Sequence, residues 1–298
     1  MIRVLTISLL LTSSVARADS IPLHYDPNLV ARGFPSPVVR VSIPGQAPAQ
    51  FLIDTGASVH TLAEWFVKSA NIPADLAKGT ARGSTGKETT IRVARQTDLA
   101  LEDGHRLPLE EAIVVDFPPM FAELRIAGLL SPQLFARRDE AVILDLRTPS
   151  LDTAPLQVAV DRLHIEPLSS GRVCINQDSE FRNRIYSMNV SVLGRSASMG
   201  LDSGATGSVI GADSAVARKL ASRSIEGNHT QGLGGDAEAF RHVPAVKIRR
   251  AGTSVDVDLV IGRSPSPECG LDGLLGMDAL RQCVLVLGPS ALGMSCSR

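Results

Sequence analysis

One short motif occurs twice in this chain, and its repetition limits the folds available to the protein. Residues 51–59 read FLIDTGASV and residues 199–206 read MGLDSGAT, which places Asp54 and Asp202 148 positions apart in the same context. A glycine-rich turn follows each motif after about thirty residues, and an apolar-glycine-apolar element then closes each half, around Gly128 and Gly273. Three landmarks in the same order indicate two copies of one structural unit.

Short β-branched runs, separated by Gly, Pro, Asp or Ser, make up most of both halves and predict strands. They are residues 38–43, 91–101, 113–115, 142–146, 187–193, 243–248, 255–261 and 284–287. Helical pattern is confined to residues 62–70, 131–137, 214–222 and 277–282. The sequence therefore predicts an all-β protein, with the boundary between its halves somewhere in the proline-containing, charged residues 149–167.

Each repeated motif predicts a carboxylate on a tight turn. Glycine lets the backbone pass close at such a turn, and the Thr or Ser hydroxyl can bond to nearby main chain. One copy would be an ordinary turn aspartate, but two copies in matching context imply a pseudo-twofold axis that brings Asp54 and Asp202 together. Two carboxyl groups in contact share a proton, so the pair can serve as general base and general acid at once, without a metal.

These residues resemble the aspartic peptidase family, in its retropepsin-like and pepsin-like fold. The resemblance rests on Asp54-Thr55-Gly56-Ala57, on Asp202-Ser203-Gly204-Ala205 and on the elements around Gly128 and Gly273, and it extends from about residue 35 to 290. The chain looks like the bacterial two-lobed form, which carries both halves in one polypeptide. The resemblance implies two retropepsin-like (acid-protease) β-barrel lobes related by pseudo-twofold symmetry, with short helices.

The resemblance also implies a role for individual residues. Asp54 and Asp202 would be the catalytic pair of an endopeptidase that needs no cofactor and acts on peptides or unfolded proteins. The turn residues Thr55, Gly56, Ser203 and Gly204 would support the pair. Substrate would be bound by small residues beside the pair and in two glycine-containing flap hairpins, namely Ala57, Gly83, Gly86, Ala205, Gly232, Gly234 and Gly235.

Two departures from the family pattern affect these expectations. Neither flap hairpin, near residues 81–90 and 232–239, carries the tyrosine of pepsin-like flaps. Ala57 and Ala205 stand where many acid-acting members have a hydroxyl residue, which leaves the carboxylates one donor fewer. Fewer donors to the charged form raise a carboxyl pKa, so we expect activity at weakly acidic to neutral pH.

The first eighteen residues have the pattern of a secretory signal peptide, since Arg3 precedes an apolar core at residues 4–11 and Ala16-Arg17-Ala18 forms a cleavage site. We therefore expect export to the periplasm or medium, followed by an N-terminal lobe at residues 19–158 and a C-terminal lobe at residues 159–298. The four cysteines, Cys174, Cys269, Cys283 and Cys296, then predict two disulfides, with three connectivities open. A hairpin around residues 288–290 could pair the last two, and their spacing lacks the close pairs of a zinc site.

Composition excludes several other classes. The chain has 30 Lys+Arg against 31 Asp+Glu, which disfavours a nucleic-acid binder. No later segment reaches the roughly 18 to 20 apolar residues of a membrane span, so no stable membrane anchor is expected, and a chain with both halves could act as a monomer.

A non-catalytic peptide-binding module on the same fold remains an alternative, while metal-assisted hydrolysis lacks evident ligands. His60, six residues after Asp54, is interpreted as structural or surface-exposed rather than as a base.

Overall fold

The computed structural model describes residues 20–75, 79–82, 88–176, 183–232, 235–250, 252–263 and 269–297. The predicted signal peptide, residues 1–18, lies outside the described residues, as do Gly83, Gly86 and Gly234 of the predicted flap turns. None of the described helices combines the length and the apolar character that a membrane span requires.

Strands dominate the described chain. They are β1 Ile21–Pro22, β2 Val38–Val41, β3 Ala49–Ile53, β4 His60–Ala63, β5 Gly79–Arg82, β6 Glu88–Ala100, β7 Arg106–Val115, β8 Ile126–Leu130, β9 Glu140–Asp145, β10 Ser150–Pro155, β11 Gly171–Asn176, β12 Asn183–Val192, β13 Arg195–Leu201, β14 Val209–Gly211, β15 Ile225–Gly232, β16 Gly235–Arg250, β17 Thr253–Gly262, β18 Gly273–Leu275, β19 Cys283–Leu287 and β20 Leu292–Cys296. The α-helices are α1 Pro27–Ala31, α2 Glu64–Ser69, α3 Pro119–Glu123, α4 Leu156–Leu163, α5 Ala215–Leu220 and α6 Met277–Leu280, and two 3-10 turns, η1 Pro132–Leu134 and η2 Ala221–Arg223, accompany them.

The two halves repeat one strand topology. The first forms a sheet in the order β2-β3-β8-β4-β7-β6-β5, and the second forms β11-β12-β13-β18-β14-β17-β16-β15, with β12 also pairing with β16. In both halves the strand before the aspartate runs parallel to the strand of the closing glycine, as β3 with β8 and β13 with β18. The fold is therefore all-β with two retropepsin-like barrel lobes related by pseudo-twofold symmetry, as the duplication predicted.

The closing glycines are required where two neighbouring strands lie in close contact. A Cβ at Gly128 would lie 1.9 Å from the Thr61 carbonyl oxygen, and one at Gly273 would lie 2.1 Å from the Val209 carbonyl oxygen. These distances leave no room for a side chain, because β8 passes directly against β4 and β18 against β14. The repeated apolar-glycine-apolar element thus marks the same strand contact in each lobe.

A third sheet, in the order β1-β10-β9-β19-β20, joins the halves. Its central contact is the antiparallel pair β9 and β19, which lie on either side of the predicted lobe boundary. Every residue of β19 is buried, and the buried apolar core continues from one lobe into the other. The division at residues 158/159 stays a prediction, and helix α4 spans it.

Both predicted disulfides are present. Cys283 and Cys296 face each other across β19 and β20, which is the hairpin pairing that the sequence suggested. Cys174 on β11 is bonded to Cys269, which precedes β18. Disulfides of this kind are compatible with a periplasmic or extracellular protein.

Some local predictions were wrong. Residues 62–70 were expected to be helical, but β4 occupies His60–Ala63 and the helix begins at Glu64. All four residues of β4 are buried, and a short continuous buried run has no periodicity that separates strand from helix. Only Pro132–Leu134 of residues 131–137 forms a helical turn.

Candidate active site

The two repeated aspartates lie at equivalent strand ends. Asp54 follows β3 and donates its backbone N–H to the Leu130 carbonyl at 2.9 Å, while Asp202 follows β13 and donates to the Leu275 carbonyl at 3.0 Å. Each turn is thus fixed to the end of the neighbouring parallel strand. The pseudo-twofold relation brings the turns face to face at the junction of the lobes.

The carboxyl groups of Asp54 and Asp202 lie close enough to share a hydrogen bond when one of them carries a proton. Each is also held by its own turn. Asp54 Oδ1 accepts the N–H groups of Gly56 at 2.8 Å and Ala57 at 3.1 Å, and Asp202 Oδ1 accepts those of Gly204 and Ala205, both at 2.9 Å. One oxygen of each carboxyl is therefore occupied by backbone donors, and the pair meets across the axis.

Burial and proximity raise the pKa values of this pair. Burial raises the pKa of Asp54 above its ordinary value, against the opposing effect of its hydrogen bonds. The pKa of Asp202 lies well above its ordinary value, first because of burial and then because of the Asp54 charge. Two carboxyl groups in this situation cannot both ionise readily and hold one proton between them.

Thr55 and Ser203 interlock beneath the pair, and both are fully buried. Thr55 Oγ1 donates to the Leu201 carbonyl at 2.9 Å and accepts the Ser203 N–H at 2.9 Å. Ser203 Oγ donates to the Ile53 carbonyl at 2.7 Å and accepts the Thr55 N–H at 3.0 Å. Each hydroxyl therefore bonds the backbone of the opposite lobe twice, which ties the two turns into one unit.

Replacing Thr55 by valine should destabilise the protein by about 2–5 kcal/mol. The change keeps the side-chain shape but leaves the Leu201 carbonyl and the Ser203 N–H buried without their partner, and each unpaired group costs roughly 1–3 kcal/mol. Urea unfolding at neutral pH measures the loss, and Thr55→Ser, which retains the hydroxyl, is the matched control. A loss no larger than that of Thr55→Ser would contradict the interlock.

The glycines of the two turns face the opposite aspartate. A Cβ on Gly56 would lie 2.7 Å from Asp202 Cγ, and a Cβ on Gly204 would lie 2.4 Å from Asp54 Cγ. Real side chains do not approach so closely. Glycine is therefore what allows the two carboxyl groups to meet.

The surroundings of the pair include four side chains that the sequence motifs did not reveal. Ser131 Oγ and Gln133 Nε2 donate to the Ala57 carbonyl at 2.8 and 2.6 Å, and the Asp278 carboxylate accepts the N–H and the hydroxyl of Ser208 at 3.0 and 2.7 Å. Gln133 and Asp278 each lie three residues beyond the end of the closing strand, β8 or β18, and this common position was the available signal.

The predicted substrate-binding residues are only partly described. Ala57 and Ala205 lie beside the aspartates as N–H donors. Hairpins occur at both predicted flap positions, since β5 pairs with β6 and β15 pairs with β16, where Gly232 faces Gly235. The turns at Gly83, Gly86 and Gly234 lie outside the described residues, and substrate binding by any of these residues stays a prediction.

Two β lobes that present a pair of Asp-Thr/Ser-Gly turns to each other define a two-lobed protein of the aspartic protease type. The family described as aspartyl protease matches this chain twice, at residues 39–132 and 188–279, and the chain belongs to that family. No curated protein sequence matches the chain significantly.

Solved structures support the fold assignment. Basic 7S globulin from soybean superposes with a TM-score of 0.52 at 11% identity, over 93% of this chain and 94% of that chain. Conglutin gamma, a basic 7S globulin from lupine seeds, superposes with a TM-score of 0.50 at 13% identity, with the same coverage of both chains. At such low identity the likeness concerns the fold alone.

Proposed function

We propose that this protein is an exported aspartic endopeptidase that hydrolyses peptide bonds in peptides or unfolded proteins. The observation that carries the proposal is the close approach of Asp54 and Asp202, two carboxyl groups of raised pKa on symmetric turns that each face the opposite aspartate. A binding module would have no need of this costly arrangement, because two carboxyl groups buried against each other weaken folding at neutral pH unless they share a proton.

The chemistry follows from the shared proton. With one carboxyl ionised and one protonated, the ionised group can remove a proton from water as it attacks the peptide carbonyl, while the protonated group donates to the carbonyl oxygen. Proton return from the pair to the amine then releases the two products. The N–H donors of Gly56, Ala57, Gly204 and Ala205 hold both carboxyl groups in place during these transfers.

Export and the nature of the substrate belong to the same proposal. The two disulfides favour an oxidising compartment, and the amino-terminal pattern of residues 1–18 favours secretion. We expect substrate to lie over the pair, between the two lobes and below the hairpins β5–β6 and β15–β16, where an extended, unfolded chain would fit best. Since one polypeptide supplies both aspartates, we expect the monomer to be active.

Cleavage should be fastest at weakly acidic to neutral pH. The active form carries one proton on the pair, so activity falls on the acid side when a second proton binds and on the alkaline side when the last proton leaves. Burial shifts both pKa values of the pair upward, which moves the whole bell-shaped profile upward. A profile of kcat/KM that peaks below about pH 3.5 would contradict this prediction.

The proposal is tested with purified protein from residue 19 onward and a reduced, alkylated protein as unfolded substrate, between pH 3 and 8. Peptide products identified by mass spectrometry are expected, and they should disappear with a statine-type inhibitor but persist with EDTA. Tight binding of the substrate with no products at any pH would overturn the proposal in favour of a non-catalytic peptide-binding module.

A further inference from the structure

The two lobes support their aspartates with different side chains. At the position six residues after the aspartate, the C-terminal lobe has Ser208 and the N-terminal lobe has His60. Both side chains accept a backbone N–H from the residue that follows the closing strand: Ser208 Oγ accepts from Gly276 at 3.1 Å, and His60 Nδ1 accepts from Ser131 at 3.2 Å. A hydroxyl and an imidazole therefore occupy the same place in the two lobes.

In the N-terminal lobe this contact leads to Asp54 through three hydrogen bonds. His60 holds the Ser131 backbone, Ser131 Oγ donates to the Ala57 carbonyl at 2.8 Å, and the Ala57 N–H donates to Asp54 Oδ1 at 3.1 Å. His60 and Ser131 are buried, with 4% and 0% exposure. The connection is continuous and starts from two buried side chains, which favours a fixed geometry.

Gln133 reinforces the same carbonyl and reaches the other lobe. Its Nε2 donates to the Ala57 carbonyl at 2.6 Å and lies 3.5 Å from the Arg184 carbonyl of β12. Its Oε1 is buried without a partner among the described residues. Turning the amide over would set Oε1 against the two carbonyl oxygens, so the orientation with Nε2 towards Ala57 is fixed.

The C-terminal lobe lacks this arrangement. There the Ala205 carbonyl accepts a backbone N–H, that of Met277 at 2.9 Å, and the residue equivalent to Gln133 is Asp278, which bonds to Ser208 instead. The carbonyl beside Asp202 is thus held by main chain, and the carbonyl beside Asp54 by two side chains. The two aspartates of the symmetric fold are supported unequally.

We propose that His60, together with Ser131 and Gln133, is a positioning residue for Asp54, and that it does so as a neutral imidazole. This proposal rests on the proposed peptidase function for its catalytic consequence. Nδ1 can accept the Ser131 N–H only while it carries no proton, since both ring nitrogens of a protonated imidazole are donors. Protonation of His60 would therefore break the first hydrogen bond of the connection and loosen the turn that carries Asp54.

The surroundings keep the imidazole neutral over the working range. Ala112 on β7 pairs with His60, Ser131 at the end of β8 donates to it, and the Phe135 ring beyond η1 lies 4.9 Å from it between centroids. None of these side chains titrates, and burial lowers the pKa of His60 to about 4. The connection should hold at neutral and weakly acidic pH and fail in stronger acid.

Two substitutions separate the hydrogen bond from the titration. His60→Ala removes the acceptor and should lower kcat about tenfold at pH 6 to 7, the loss expected for one buried hydrogen bond of the supporting network. His60→Asn offers Oδ1 in place of Nδ1 and does not titrate, so it should recover most of that loss. KM should change little in both, and His24→Asn, at an exposed histidine, is the matched control that leaves kcat unchanged.

The steepness of the acid limb gives a second readout. For wild type, a plot of log kcat against pH should have a slope of two below about pH 4, because the aspartate pair binds one proton and His60 binds another. In His60→Asn the slope should fall to one. A purely structural histidine would instead lower the thermal midpoint of both variants and leave the slope unchanged, and that result would overturn the proposal.

A measurement that does not depend on catalysis tests the positioning proposal separately from the proposed peptidase function. Carboxyl carbon NMR, with the Asp54 signal assigned from Asp54→Asn, should show its titration moving to higher pH in His60→Ala, because weaker N–H donors destabilise the carboxylate. Gln133→Leu should produce the same shift, and the double variant less than the sum. If the wild type cleaves nothing but the shift occurs, positioning stands and the peptidase proposal fails. If the wild type cleaves and neither variant moves the titration, positioning is overturned.

Discussion

Replacing either Asp54 or Asp202 by asparagine should abolish peptide cleavage, with kcat lowered about 10⁴-fold, as when one member of a catalytic unit is removed. Asparagine preserves the shape and still accepts the N–H groups of its turn. It cannot exchange a proton, however, so the pair loses its function as combined base and acid. Steady-state cleavage of the unfolded substrate, with active wild type beside it, measures the effect.

The same substitutions should stabilise the fold at neutral pH. The pKa values of both carboxyl groups are raised in the folded protein and ordinary in the unfolded chain. Their protonated form contributes to stability below the ordinary carboxyl pKa, and this contribution is lost as pH rises through the raised values. An asparagine carries no charge to bury, so the thermal midpoint should exceed that of wild type at pH 7 and match it near pH 3.

The control for both effects is Asp213→Asn, at an exposed aspartate away from the pair. It should change neither cleavage nor the pH dependence of stability. Cleavage that survives in Asp54→Asn or Asp202→Asn would rule out a shared pair. A thermal midpoint below that of wild type at pH 7 would show that the carboxyl groups stabilise the fold, contrary to the raised pKa values.

The sequence was sufficient to predict the pair because the motif is local and repeated. An Asp-Thr/Ser-Gly turn at the end of an apolar strand can be read from adjacent residues, and its duplication implies the symmetry that joins Asp54 to Asp202. The closing glycines were equally legible. The reason that glycine is needed there, namely the close contact of Gly128 with Thr61 on the neighbouring strand, could be seen only in the structure.

What could not be predicted depends on contacts between distant segments. Gln133 contacts Ala57 because β8 lies parallel to β3, and no sequence pattern near either residue predicts that these two strands pair. The junction of β9 with β19 likewise joins segments far apart in the chain. Buried runs such as β4 carry no period, so tertiary packing decides between strand and helix.

Replacing Gly204 by alanine should lower kcat/KM at least about 100-fold, the penalty expected for displacing a catalytic group by about 1 Å. The new methyl would lie 2.4 Å from Asp54 Cγ, so the carboxyl groups must move apart. Overpacking of this kind also costs about 1–3 kcal/mol of stability. Gly207→Ala is the matched control, since its Cβ would meet its nearest neighbour, Asp278 Oδ2, at an ordinary 3.8 Å.

A second substitution shows whether contact with Asp54 causes the loss. Alanine at position 54 has no Cγ, so Gly204→Ala should destabilise the Asp54→Ala protein much less than it destabilises wild type. No protein that carries Asp54→Ala is expected to cleave, so the comparison uses stability. Urea unfolding of the four proteins in this double-mutant cycle gives the coupling directly. If Gly204→Ala costs the same stability in both backgrounds, the alanine methyl does not press on Asp54. Gly204 would then be needed for the conformation of the turn itself and not for the close approach of the two carboxyl groups.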